Sequence, residues 1–277
     1  MQNYTLHTHT VRFDGKNNVN DMVVRAKDLG FNTIGFSNHF IVHPAIKYSV
    51  LYHFALMHGY FRIYSSSFRE AIAKFKIHYR EIEEARKLYP EMRILSGMEV
   101  DFFDNDEWKK QFEETITILK PDYLIGSAHL VESDGLLLNT HDWEVATPEK
   151  QKIILEKYWT NVANAAASGL FNWMAHLDLP KKAGLGLEKE WTEFENRAVF
   201  SAAKSNTAIE INTSSYDRCG EPYPSNRILN MVKQHDVPVL LSDDAHNTKN
   251  IGRHFDKGQQ LIKDLQLKTC ELGQLIR

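Results

Sequence analysis

The chain has 277 residues, 43% of them hydrophobic and 25% charged, with a formal net charge of -3. That length can bury a substantial core, and no lysine/arginine block tracks a phosphate backbone, which argues against nucleic-acid partners. With only two cysteines, Cys219 and Cys270, a disulfide framework and a cysteine-based zinc site are excluded, and with no signal-like or bilayer-length apolar segment the expectation is a cytoplasmic protein with no membrane partner.

The first apolar run, 3–9, reads as a strand that ends in the segment TLHTHTVRFDG, residues 5–15. In an extended chain, side chains at i and i+2 share a face, so His7 and His9 can reach one object. A metal ion is the most economical such object. The triplet alone leaves the matter open, because single histidines are as often packed or solvated. Residues 18–30 follow as a helix with a glycine stop, and 31–39 as the next strand. An aromatic- and histidine-rich insertion occupies 40–65, and a long helix runs over 67–90.

Strand and helix then alternate: strands at 92–102, 122–130, 170–179, 207–214 and 237–246, and helices at 106–119, 148–168, 189–204, 223–235 and 257–265. Seven strand–helix units with no composition break predict an α/β fold with a parallel sheet closed into a barrel, as one domain over 1–277. In such a barrel functional residues gather where strands run into their loops. The strand ends carry His7 and His9, then His39, Glu99, His129, His176, and finally Asp244 with His246; Asp14 lies one short loop after the first strand. Mixed nitrogen and oxygen donors of this kind suit Zn, Mn or Fe, so a multinuclear metal centre is expected. Asp14-Gly15 is also an ordinary turn pair.

The segments LHTH, GFSNHF, SGMEVDF, GSAHL, MAHLDL and SDDAH, in this order, resemble the successive motifs of the PHP superfamily, the polymerase and histidinol phosphatase group. The insertion after SNHF and the series GSAHL, HLDLPKK, EINTS and YPS look most like its monofunctional L-histidinol-phosphate phosphatases. The resemblance implies a distorted (β/α)7 barrel and a trinuclear metal centre, and the expectation for this chain is two to three divalent transition metals. It would divide the ligands into His7, His9, Glu99 and Asp244 on one ion; Glu99 bridging to a second with His129 and His176; and Asp14, His39 and His246 on a third. The family often has Asp where this chain has Asn38, which would then support its loop from behind the ligands.

The activity so implied is hydrolysis of L-histidinol phosphate, a small phosphate ester, in histidine biosynthesis. Metal-bound water supplies hydroxide near neutral pH, and adjacent ions clamp phosphoryl oxygens. Glu99, with two oxygens, suits the bridge, and Asp244 or His246 is the candidate for protonating the leaving group. For substrate binding, Arg218 is favoured among Lys181, Lys182, Arg218 and Arg227, because a guanidinium grips phosphate in bidentate fashion. His43, with His53 and His58, lies in the insertion and either lines the pocket or packs. Asp101 and Asp178 either orient ligands or pair elsewhere, while His78, His141, His235 and His254 are read as non-catalytic. The alternatives are a phosphoesterase for nucleotide or sugar phosphates and an inert metal-binding barrel.

Overall fold

The computed structural model describes residues 2–133, 135–139 and 146–277; His141 lies outside them. Seven parallel strands form the sheet: β1 (Tyr4–Thr5), β2 (Thr33–Phe36), β5 (Arg93–Asp101), β6 (Tyr123–Ser127), β9 (Trp173–Met174), β10 (Ala208–Asn212) and β11 (Val239–Ser242), in that spatial order. Between the outer two, Thr8 bridges Ala245, with His9 N–H donating to Ala245 O at 2.9 Å and Ala245 N–H to His7 O at 3.0 Å. Lower down the Gln2 side-chain amide stands in for a missing rung, donating to Leu241 O and accepting from Leu241 N–H. The sheet is thus nearly closed into a seven-stranded barrel, as the strand–helix alternation predicts.

Helices α1 (Val19–Asp28), α3 (Phe68–Leu88), α4 (Asp106–Leu119), α5 (Pro148–Ala167), α6 (Thr192–Ser205) and α8 (Asn226–Gln234) connect the barrel strands, and α9 (Phe255–Leu265) follows the last of them. Asn18, Ser67, Asn105 and Thr147 cap the first, second, third and fourth of these, each side chain accepting a first-turn N–H. Past α1, Gly30 takes φ +84°, which accounts for the glycine stop.

Below the strand ends, Tyr123 stacks on Trp173 with ring centroids 5.0 Å apart. Two glycines make room for that tyrosine: a Cβ on Gly35 or Gly97 would sit 2.3 or 2.2 Å from its atoms. The two rings fill the barrel as an apolar plug, and their polar tips find partners, Tyr123 OH on Leu6 O and Trp173 Nε1 on Glu210.

The structure departs from the sequence expectation in three places. The run 31–39 breaks after Phe36, and a separate strand β3 (His39–Val42) pairs with β5 through His39 opposite Glu99; the N–H of Glu99 reaches both Ser37 O and Asn38 O at this shift. The insertion is therefore ordered as β3, α2 (Val50–His58) and β4 (Tyr64–Ser65), with β4 pairing β3. Next, a hairpin of β7 (Leu130–Ser133) and β8 (Leu136–Asn139) follows β6. Finally, only Trp173–Met174 of 170–179 is strand, because His176 N–H leaves the ladder for the Glu210 carboxylate and the chain turns into a 3-10 segment, Leu179–Ala183.

Candidate metal centre

Among the described residues, nine side chains converge at the carboxyl ends of the barrel strands. Their donor atoms fall into four overlapping sets, each within 4.8 Å: His9, Asp14, His39 and His246; His7, His176 and Asp244; His7, His9 and Glu99; His39, Glu99 and His129. These are the nine residues expected from the sequence. Asp14, His39 and His246 stand together, as do His7, His9 and Glu99, while His9 also joins the first of these sets and His176 stands with His7 and Asp244. His9 sits beyond the last β1 rung, where its ring stacks on His246 at 4.1 Å and lies 4.5 Å from His39.

Two of the nine have a left-handed backbone, His176 at φ +21° and Asp244 at φ +46°. Such conformations cost of order 1–3 kcal/mol in residues with a Cβ and persist where the surroundings enforce them. Here they turn both side chains off their strands and over the barrel mouth.

The donor atoms aim at shared points between them. His39 Nδ1 is 2.8 Å from Glu99 Oε2 and His9 Nε2 is 3.2 Å from Asp244 Oδ1, yet neither pair is a hydrogen bond. His7 Nε2, both nitrogens of His9, Asp14 Oδ1, His39 Nδ1, Glu99 Oε2 and His176 Nδ1 are buried without a hydrogen-bond partner. A buried polar atom left unpaired costs about 1–3 kcal/mol, so this many in one place fit a set of lone pairs built to bind divalent transition metals.

The surrounding charges agree. Burial disfavours charge on Glu99 and Asp14, yet His39, His129 and His7 hold Glu99 well below the usual carboxylate range, and His246 and His39 do the same for Asp14. Burial also opposes charge on His7, but Glu210, Asp244 and Glu99 hold it well above the ordinary imidazole value. His9 is pushed down to about 4 by burial and by neighbouring His246 and His39. Against burial, the carboxylates of the set likewise hold His39 and His246 above the ordinary imidazole value, and bound metal ions would take the place of such protons.

Partners behind the ligands orient them. Asp101 Oδ1 accepts from His129 Nδ1–H at 2.5 Å, which makes Asp101 an orienting residue. Asp178 instead accepts from Ser225 N–H at 2.8 Å and lies 3.4 Å from Lys181 Nζ. Asn38 Oδ1 accepts from Thr10 N–H, and its amide nitrogen lies 2.8 Å from His78 Nε2, so both brace the loop after β1. Glu210, in the middle of β10, is fully buried and meets His7 Nδ1 at 2.9 Å. The sequence reading passed over it; the available signal was an acidic residue between Ile209 and Ile211 in an apolar strand.

A cavity of about 410 Å³ opens over the centre, lined by Asp14, His39, His129, His176, Asp244 and His246 and by Ile41, Tyr60, Ile63, Tyr64, Leu130, Asn139, Leu179 and Lys182. The two substrate-binding expectations are not among these residues. Arg218 is exposed on the short helix α7 (Tyr216–Cys219), because the chain after β10 folds back, with Asn212 bridging Tyr223. His43 lines a separate groove with Trp108 and Glu132, its Nδ1 accepting from Ala45 N–H in the turn after β3. Among the described residues that line the cavity, the cation is Lys182. His53 and His58 are exposed, and of the insertion's aromatics Tyr60 and Tyr64 reach the cavity.

A histidinol-phosphatase of Saccharomyces cerevisiae is 28% identical over 238 residues, covering 72% of this chain and 70% of the yeast protein. A probable histidinol-phosphatase of Deinococcus radiodurans is 27% identical over 212 residues, covering 75% and 79% of the two chains. The crystal structure of histidinol phosphate phosphatase from Lactococcus lactis, complexed with zinc, L-histidinol and phosphate, superposes with a TM-score of 0.75 at 17% identity, over 100% of this chain and 99% of that one. The model of the PHP domain matches residues 3–214, which takes in every barrel strand from β1 to β10 and seven of the nine converging side chains, and on that match the chain belongs to the PHP domain family.

Proposed function

We propose that this chain is a metal-dependent phosphomonoesterase that hydrolyses L-histidinol phosphate to L-histidinol and phosphate. The observation that carries the reading is the cluster of buried, unpartnered nitrogen and oxygen donors opening into a cavity with a cation on its rim. Supporting it, the yeast and Deinococcus relatives are named for this activity, and the Lactococcus protein was solved with zinc and with both products.

Two to three divalent ions, Zn, Mn or Fe, would be held by His7, His9, Asp14, His39, Glu99, His129, His176, Asp244 and His246. Bound there, they would supply hydroxide near neutral pH and a charge clamp for phosphoryl oxygens. Glu99 presents both oxygens to the centre, Oε1 near His176 and His129 and Oε2 near His39, His7 and His9, and would be the carboxylate that two ions share. Proton delivery to the leaving alcohol falls to Asp244 or His246, whose side chains are 19% and 33% exposed. Lys182 offers its ammonium to the phosphate, while Tyr60, Tyr64 and Asn139 face the amine and imidazole of the substrate. The chain acts through one barrel domain over 1–277, with the 40–65 insertion forming part of its mouth.

A panel of phosphate esters assayed with metal-loaded protein tests this. The expected kcat/KM for histidinol phosphate is at least roughly a hundredfold above that for nucleotide monophosphates, because a ligand that leaves polar site groups unpaired is rejected by several kcal/mol. Equal or better turnover of a nucleotide or sugar phosphate would overturn the histidinol assignment and leave a general phosphoesterase.

A further inference from the structure

We propose that Glu210 is a positioning residue that locks two metal-facing ligands on different strands at once, fixing the tautomer of His7 and the backbone of His176. The proposal rests on the metal-binding reading above. Glu210 is fully buried on β10. Its Oε2 lies 2.9 Å from His7 Nδ1 and 3.3 Å from Trp173 Nε1; its Oε1 lies 3.1 Å from His176 N and 2.8 Å from Asn212 Nδ2. Four donors, from the segment after β1, from β9, from β10 and from the turn after β9, thus converge on one side chain that can only accept.

Each of the two ligand bonds has a separate effect. Because a carboxylate only accepts, His7 must carry a proton on Nδ1, which leaves Nε2 as the ring nitrogen that can give its lone pair to a metal. That atom is buried without a hydrogen-bond partner, 3.5 Å from Glu99 Oε2 and 3.6 Å from Asp244 Oδ1. At His176, the bond to the backbone N–H holds a conformation of φ +21°. The turn so fixed aims the ring at Glu99, with Nε2 to Oε1 at 2.8 Å. Glutamine cannot replace this arrangement, since either orientation of its amide sets an NH2 group against two donors. If it faces His7, the ring is driven to the other tautomer and Nε2 is lost as a ligand.

The test is zinc affinity, measured by competition with a chromophoric chelator, together with zinc equivalents after dialysis and the split of kcat from KM. Glu210→Gln is expected to weaken at least one zinc by roughly 10–100-fold, as loss of an orienting partner does, and to lower kcat with KM little changed. Trp173→Phe removes one donor but leaves the bonds to His7 and His176, and should keep wild-type zinc affinity. Glu210→Asp, which keeps the charge and withdraws both oxygens by a methylene, carries the same test should the amide fail to fold, and the same direction of change is expected. Wild-type affinity in folded Glu210→Gln overturns the proposal alone, as does a failure of both Glu210 variants to fold, which would assign the residue to the core. A wild-type chain that binds no zinc overturns the metal reading and this proposal with it.

Discussion

Glu99 is 1% exposed and has three imidazoles, those of His7, His39 and His129, within 3.5 Å of its oxygens besides the hydrogen bond from His176. Glu99→Gln keeps nearly the same shape and removes the charge. Turnover should fall by two or more orders of magnitude if two ions share that carboxylate, as about 3 kcal/mol or more of transition-state stabilisation is lost. Kinetics beside circular dichroism check this: near-normal turnover in a folded, metal-replete variant would remove Glu99 from the mechanism. The converging residues were legible because a barrel puts its chemistry at strand ends, where the histidines and carboxylates of this sequence collect. Glu210 was not, because it sits one layer lower, inside β10, where the sequence shows only a strand. Nor was the placement of Lys182, rather than Arg218, on the cavity wall, since charge in a loop says nothing of which way the loop turns.

At the scale of elements, long amphipathic segments read clearly: α4 spans the expected residues and α1, α3 and α5 differ by a residue or two at their ends. What periodicity missed is held by side chains. The shortened β9 ends on Glu210, and the insertion is fastened to α3 by Glu70, which accepts from Ser66 N–H at 3.1 Å and pairs with Lys47 at 2.8 Å and Lys74 at 3.1 Å. Burial opposes its charge, but Lys47, Ser66 and Lys74 outweigh it and hold the carboxyl down at about 2, against an ordinary 4.5. A depressed carboxyl stabilises the fold above its unfolded value and loses that contribution as pH falls from near 4.5 towards 2. Solvent screening at this partly exposed site limits the effect to about 1 kcal/mol. Glu70→Gln should therefore lower stability at pH 7 and make no difference near pH 2; urea unfolding at the two values measures it, and an equal loss at both would show that the charge is not the cause.

Across the whole molecule, the barrel closes where its metal-facing residues lie: the Thr8–Ala245 bridge that joins β1 to β11 is flanked by His7, His9, Asp244 and His246. Stability and metal occupancy should therefore be coupled. Four carboxylates, Asp14, Glu99, Glu210 and Asp244, gather in and beneath the mouth, and bound cations offset their mutual repulsion together with the cost of the unpaired donors. A ligand held at about 100 times its dissociation constant contributes about 2.7 kcal/mol, which at this chain length corresponds to a Tm about 5 °C higher. Chelation should lower Tm by at least that much and addition of zinc should restore it, read by calorimetry. Elemental analysis of protein purified without chelator should find two to three equivalents of transition metal per chain, because nine converging ligands exceed the four that one tetrahedral ion uses. One equivalent with full activity would leave most of the buried donors unexplained and overturn the multinuclear centre. A Tm indifferent to chelation, with the metal shown to be gone, would separate the site from the closure of the barrel.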